Sequence, residues 1–193
     1  MKKKSMTVIA VIALILAFTV GGALAYYTTD EVVHNVITTG GVKAKIVEEQ
    51  DDGNGGREPF ENNQTGIMPG AEVSKIVTIR NTGDAGFYAR VKVDVVITPP
   101  DGAQVDPDPS MITLNFNDQK WKLEDDGYWY YKEEIIGGRS TEPLFTTVSF
   151  AEEMGNEFKG CKVDVIVHAQ TVQSANNGSS VFEAEGWPEA PEA

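Results

Sequence analysis

Histidine and cysteine, the usual imidazole and thiolate ligands and nucleophile partners, are scarce in this 193-residue chain, with two of the first and one of the second. The two histidines, His34 and His168, have no His, Cys or carboxylate at the spacing of a His-Glu-x-x-His helix. Such a helix places two imidazoles on one face and uses the glutamate as base. His168 falls in an alternating apolar run, residues 163–172, where a structural imidazole is favoured over a ligand. The single cysteine, Cys161, has no activating neighbour in sequence and no second thiol to pair with, so it reads as a buried, inert thiol. No Gly-x-Ser-x-Gly elbow is present. No catalytic, cofactor-binding or metal-binding residue is assigned, and the expectation is a protein that is not an enzyme.

Two further groups bear on binding. Asp51-Asp52-Gly53-Asn54-Gly55-Gly56 has the oxygen density that calcium favours, but no Glu stands at the twelfth loop position, and the segment reads as a solvated loop. Trp121, Tyr128, Trp129, Tyr130 and Tyr131 offer a stacking platform for sugars or partner chains near Trp129, although in alternating strands half of these rings must point inward. With 16 basic and 29 acidic residues the chain carries a net charge of −13, which repels phosphate backbones and anionic headgroups. Nucleic acid is thereby disfavoured as a partner.

Peptide-bond cleavage by another enzyme is the best-marked chemistry. Met1-Lys2-Lys3-Lys4 is a basic start, residues 6–24 are uncharged and mostly apolar, and Ala23-Leu24-Ala25 sets small residues where a signal peptidase reads them. Cleavage after Ala25 is expected, leaving Tyr26 as the new N-terminus and no membrane attachment afterwards. An uncleaved anchor is the alternative, since a run of this length can span a bilayer. Gly21-Gly22 and the Ala-Leu-Ala site favour cleavage.

The elements behind these residues are strands. Apolar residues recur with a period near two in residues 42–47, 73–80, 87–98, 112–116, 121–123, 128–133, 144–150 and 161–172, with turn chemistry every ten or so residues. Residues 73–80 and 87–98 are expected to pair as a hairpin across Asn81-Thr82-Gly83-Asp84, and residues 121–123 and 128–133 across Glu124-Asp125-Asp126-Gly127. Residues 50–64 read as a loop, and residues 151–158 have room for one short helix. The fold expected is all-β, an antiparallel β-sandwich of jelly-roll type behind an N-terminal signal helix. Its parts are a signal peptide (1–25), an N-terminal strand (26–40), the sandwich domain (41–175) and a flexible acidic tail (176–193). The N-terminal strand is rich in Val, Ile, Thr and Tyr, with no hairpin partner beside it. It can therefore join an open edge of its own sheet or of a neighbour's.

Several short motifs give the chain a resemblance. They are Ala25-Tyr26-Tyr27-Thr28-Thr29-Asp30 after a Gly-Gly signal, Asn35-Val36-Ile37-Thr38-Thr39-Gly40, and Pro69-Gly70 with Lys75 ahead of Asn81-Thr82-Gly83-Asp84. Asp126-Gly127-Tyr128 with Tyr130-Tyr131, and the late Gln170 and Gln173, extend them. Together they resemble the TasA and camelysin-like secreted proteins of Gram-positive bacteria, which use a dedicated SipW-type signal peptidase. The resemblance implies a jelly-roll subunit of extracellular biofilm-matrix fibres that donates an N-terminal strand to the next copy. Here the donor is residues 26–38, with Tyr27, Val32, Val33, Val36 and Ile37 filling the acceptor. The partners implied are further copies of the chain, the signal peptidase during export and matrix polysaccharide, at a secreted or cell-surface location. Part of that family is labelled metallopeptidase, so a secreted metalloprotease is one alternative and a cell-surface polysaccharide-binding module another.

Overall fold

The computed structural model describes residues 35–39, 41–62 and 68–188. Eleven strands carry the described chain: β1 (Asn35–Thr39), β2 (Ala44–Asp51), β3 (Arg57–Pro59), β4 (Glu72–Ser74), β5 (Ile76–Asn81), β6 (Phe87–Thr98), β7 (Ile112–Leu114), β8 (Trp121–Leu123), β9 (Trp129–Tyr131), β10 (Thr147–Phe150) and β11 (Lys162–Gln173). Among the described residues helical structure is confined to three short 3₁₀ turns, so the chain is all-β. The signal helix and its cleavage residues Ala23, Ala25 and Tyr26 lie outside the described residues.

The strands form one sheet of order β1-β11-β6-β9-β8 and two of three strands, β4-β10-β7 and β3-β2-β5. All pairings are antiparallel except β1 with β11. The two small sheets are continuous in backbone. β4 and β5 are separated by Lys75 alone, and extended residues 139–146 run along the β4–β5 edge. The bonds there are Asn81 N–H to Arg139 O (2.8 Å), Thr141 N–H to Ile79 O (2.9 Å), Leu144 N–H to Val77 O (2.8 Å) and Lys75 N–H to Thr146 O (2.9 Å).

Period-two alternation fills one hydrophobic cluster from both sides. Val77, Ile79, Val148 and Phe150 come from the small sheets, and Phe87, Ala89, Val91, Val163, Val165 and Val167 from the large one. Fully burying each such side chain contributes roughly 1.5–3 kcal/mol. The β8–β9 hairpin forms as expected, with Trp121 opposite Tyr131 and Leu123 opposite Trp129. Gly127 adopts a φ of 80° in its turn, a conformation that favours glycine.

Two expectations are corrected. Residues 73–80 and 87–98 do not pair: β5 is held by β2 on one side and by residues 139–146 on the other, while β6 pairs with β11 and β9. The turn between them is a crossover, stitched by the fully buried Asn81, whose Nδ2 donates to Ala85 O (2.8 Å) and Ile135 O (2.9 Å). Residues 50–62 are not all loop, because β2 and β3 form a hairpin there whose short, fully exposed second strand has no apolar face to reveal it. Residues 151–158 hold one short helix, as expected, the 3₁₀ turn Asn156–Phe158.

The ammonium of Lys75, 2% exposed, lies 2.8 Å from Glu48 Oε1 and 3.9 Å from the centre of the Phe60 ring. Burial pushes the Lys75 pKa down, and Glu48 opposes that shift. A buried charge left without its partner costs several kcal/mol, whereas replacing both partners by apolar groups is often neutral. Glu48→Ala should therefore lower unfolding stability by about 3 kcal/mol in urea titrations, and Glu48→Leu with Lys75→Met should restore most of it.

Candidate functional site

The edge of the large sheet carries the residues singled out for assembly. β1 runs parallel to β11, from Asn35 opposite His168 to Thr39 opposite Val172, and so covers five of the twelve residues of β11. β6 pairs with all twelve. On the β1 side, residues 163–167 have no strand partner among the described residues. Val163, Val165 and Val167 of this stretch are buried in the core. Of the expected donor side chains, Val36 is half-buried against the core and Ile37 lies opposite Gln170 in the ladder. Tyr27, Val32 and Val33 precede β1 and lie outside the described residues. Thr171, opposite Thr38, is fully buried and its hydroxyl has no hydrogen-bond partner among the described residues. That costs roughly 1–3 kcal/mol at this seam.

The other candidates are used structurally. Among the described residues no three His, Cys, Asp or Glu side chains converge as metal ligands; His168 faces Lys92 across β6, and His34 lies outside the described residues. Cys161 is buried, its thiol donates to Glu157 O (3.2 Å), and burial pushes its pKa up. In the acidic loop, Asp52 accepts from Asn54 N–H and Gly56 N–H (both 2.8 Å) and Asp51 from Gly53 N–H (2.7 Å). These carboxylates close the β2–β3 turn, and the bond from Asn54 is the first cause of Asp52's lowered pKa.

The aromatic group divides between the two faces of β9. Trp129 stacks on Phe116, ring centres 4.4 Å apart, and Tyr131 packs with the fully buried Trp121, so neither Trp is a surface platform. Tyr128 and Tyr130 turn the other way, toward Arg90. The guanidinium lies 4.2 Å from the centre of the Tyr128 ring and 4.8 Å from that of Trp187. It donates to Gln170 Oε1 (2.9 Å), Asp126 Oδ2 (2.8 Å) and the Tyr130 hydroxyl (2.7 Å).

Trp187 belongs to the segment read from sequence as a flexible tail, and through Trp187 that segment is a strap across the outer face. Val181, 1% exposed, packs with Tyr88, Tyr128, Tyr130 and Val172. Asn177 ties the strap's ends, donating to Gln173 O (3.1 Å) and Glu185 O (3.0 Å) and accepting from Glu185 N–H (2.8 Å). Gly178 has a φ of 71°, and a Cβ there would meet the Glu183 backbone at 3.0 Å. The Arg90 cluster was missed because an isolated Arg in a strand carries no spacing signal; the lone Trp in an acidic tail was the one available sign.

Comparison of the chain with family models, with curated proteins and with solved structures finds no match.

Two predictions follow from this geometry. Trp187→Ala should remove the ring over Arg90, lower stability by about 1–2 kcal/mol, and make the chain after residue 180 cleavable in limited proteolysis. The Tyr131 hydroxyl donates to the Glu142 carboxylate, and that bond is the first cause of the lowered Glu142 pKa, with Lys120 adding to it. A carboxyl depressed in the folded state stabilises above its ordinary value, and this is lost as pH falls through the depressed one. In Tyr131→Phe, Glu142 should titrate nearer its ordinary value by NMR, and the acid side of the stability profile should flatten.

Proposed function

We propose that this chain is an exported structural subunit of an extracellular matrix fibre, built by passing the N-terminal segment, residues 26–38, to the large sheet of the next copy. The observation that carries this reading is the place of β1: the chain's own N-terminal segment supplies an edge strand of the large sheet, pairing in parallel with β11 from Asn35 opposite His168 to Thr39 opposite Val172. Main-chain hydrogen bonds along such an edge supply strength, and alternate side chains supply fit. An exchange that runs head to tail is heterologous and does not close, so it yields filaments. The fold that serves it is a two-layered sandwich. The continuous backbone of the two small sheets and the single core they share with the large one support this, and the chain's passage between layers at β5–β6, β6–β7 and β10–β11 supports a jelly-roll-like winding. Basic residues 2–4, the apolar run and the Ala-Leu-Ala site support export.

Deleting residues 26–34 from the mature protein should leave β1 in place and abolish fibres in negative-stain micrographs. A synthetic peptide of residues 26–38 should cap growth of the unmodified protein. Fibres of undiminished length from the deleted chain would overturn the reading.

A further inference from the structure

Between the β8–β9 turn and the C-terminal strap lies an open cleft of about 500 Å³, lined by Lys122, Glu124, Asp125, Tyr130, Phe182 and Trp187 among others. Its volume is that of a small-ligand site. Phe182 is 46% exposed there, although the strap's hold on the sheet rests on Val181 and Trp187 beside it. Asp125 is exposed and makes no hydrogen bond or ion pair among the described residues. The Phe182 ring tilts against Tyr130, centres 6.1 Å apart, and still keeps nearly half of its surface open beside that carboxylate.

The charges select the ligand class. An anion would face Glu124, Asp125 and Asp126 together. A cation would meet two like charges already at the rings: Arg90 lies against Trp187, and the Lys122 ammonium sits 5.0 Å from the centre of the Phe182 ring and 2.6 Å from Glu124 Oε1. A neutral ligand with a flat apolar face and a rim of hydroxyls, each both donor and acceptor, meets neither obstacle. Its face can lie on Phe182, with hydroxyls donating to Asp125 and Glu124 and accepting from Lys122. We infer that the cleft is a binding site for a neutral saccharide, its two walls supplied by the β8–β9 turn and by the strap. This moves the sugar-binding surface from Trp129 to Phe182 and Trp187, and it stands independently of strand exchange.

The test is titration of the purified protein with neutral oligosaccharides of glucose, galactose and N-acetylglucosamine, followed by calorimetry and tryptophan fluorescence. Trp187 is the indole at the cleft, whereas Trp121 is fully buried and Trp129 is stacked inside. At least one series should bind with a shift in emission, at an affinity that does not change when salt is raised. Phe182→Ala should weaken binding about tenfold and Asp125→Asn should weaken it less, both with thermal midpoints close to the parent's. A blank panel would overturn the inference. So would Phe182→Ala binding like the parent, or binding confined to lysine-rich or anionic oligomers and lost at high salt.

Discussion

The antiparallel ladder between β6 and β11 is the constraint on which the rest of the structure depends. Its twelve residue pairs, from Phe87 opposite Gln173 to Thr98 opposite Lys162, fix which side chains share a face. Val91 with Ala169, Val93 with Val167 and Val95 with Val165 turn toward the core. Tyr88 with Val172 and Arg90 with Gln170 turn outward. Side chains alternate with a period of two, so a slip of one residue would drive Arg90 inward and expose Val91. The length of the ladder and its buried inner face make that slip costly, and β1 and β9 add to its two sides in registers that follow from it.

The outer face is covered unequally along this ladder. At the β9 end, the strap and the Arg90 cluster give the sheet a second buried surface, and the guanidinium there is paired and stacked rather than left bare. Toward the other end, the outward pairs are Lys92 with His168, Asp94 with Ile166 and Val96 with Asp164, and Val96 is 40% exposed. These outward pairs lie on the stretch of β11 at and before the start of its ladder with β1, and Asp164, Ile166 and His168 in them are half-buried. One end of the outer face of the large sheet is thus closed by the chain's own C-terminal segment.

The strands were legible because half-buried sheets impose alternation that survives in the sequence, and Glu124-Asp125-Asp126-Gly127 marked the one hairpin whose partners are adjacent. Partner choice elsewhere was not. Asn81-Thr82-Gly83-Asp84 has turn composition, but whether a turn returns a strand to its neighbour or carries it to another layer depends on what Asn81 finds at Ile135, 54 residues on. The strap was hidden for a related reason. Glu, Ala and Pro dominate residues 182–193, and only after folding do Val181 and Trp187 meet Tyr130 and Arg90. Asn177-Gly178 was a readable turn whose consequence lay in contacts made far away in sequence. Nor could the edge position of β1 be read, since parallel pairing between the two ends of a chain leaves no local trace.

Edge strands differ from central ones in how firmly they are held, and β1 is held lightly. Its ladder among the described residues is five residues long and parallel, a geometry slightly weaker per residue than antiparallel pairing, and the Thr171 hydroxyl buried beside it has no hydrogen-bond partner among them. A strand that also lay along residues 163–167 would add main-chain bonds worth about 1 kcal/mol each. Against it stands the advantage of the chain's own segment, whose tether gives an effective concentration on the order of millimolar. A free competitor at micromolar concentration is disadvantaged by roughly 4 kcal/mol, which a handful of extra backbone bonds offsets. In the proposed exchange the two states would be balanced within a few kcal/mol, so that the concentration of copies would decide between a closed subunit and a growing chain. A central strand such as β6, bonded along its whole length by β11 and again by β9, could not be exchanged in this way without dismantling the core.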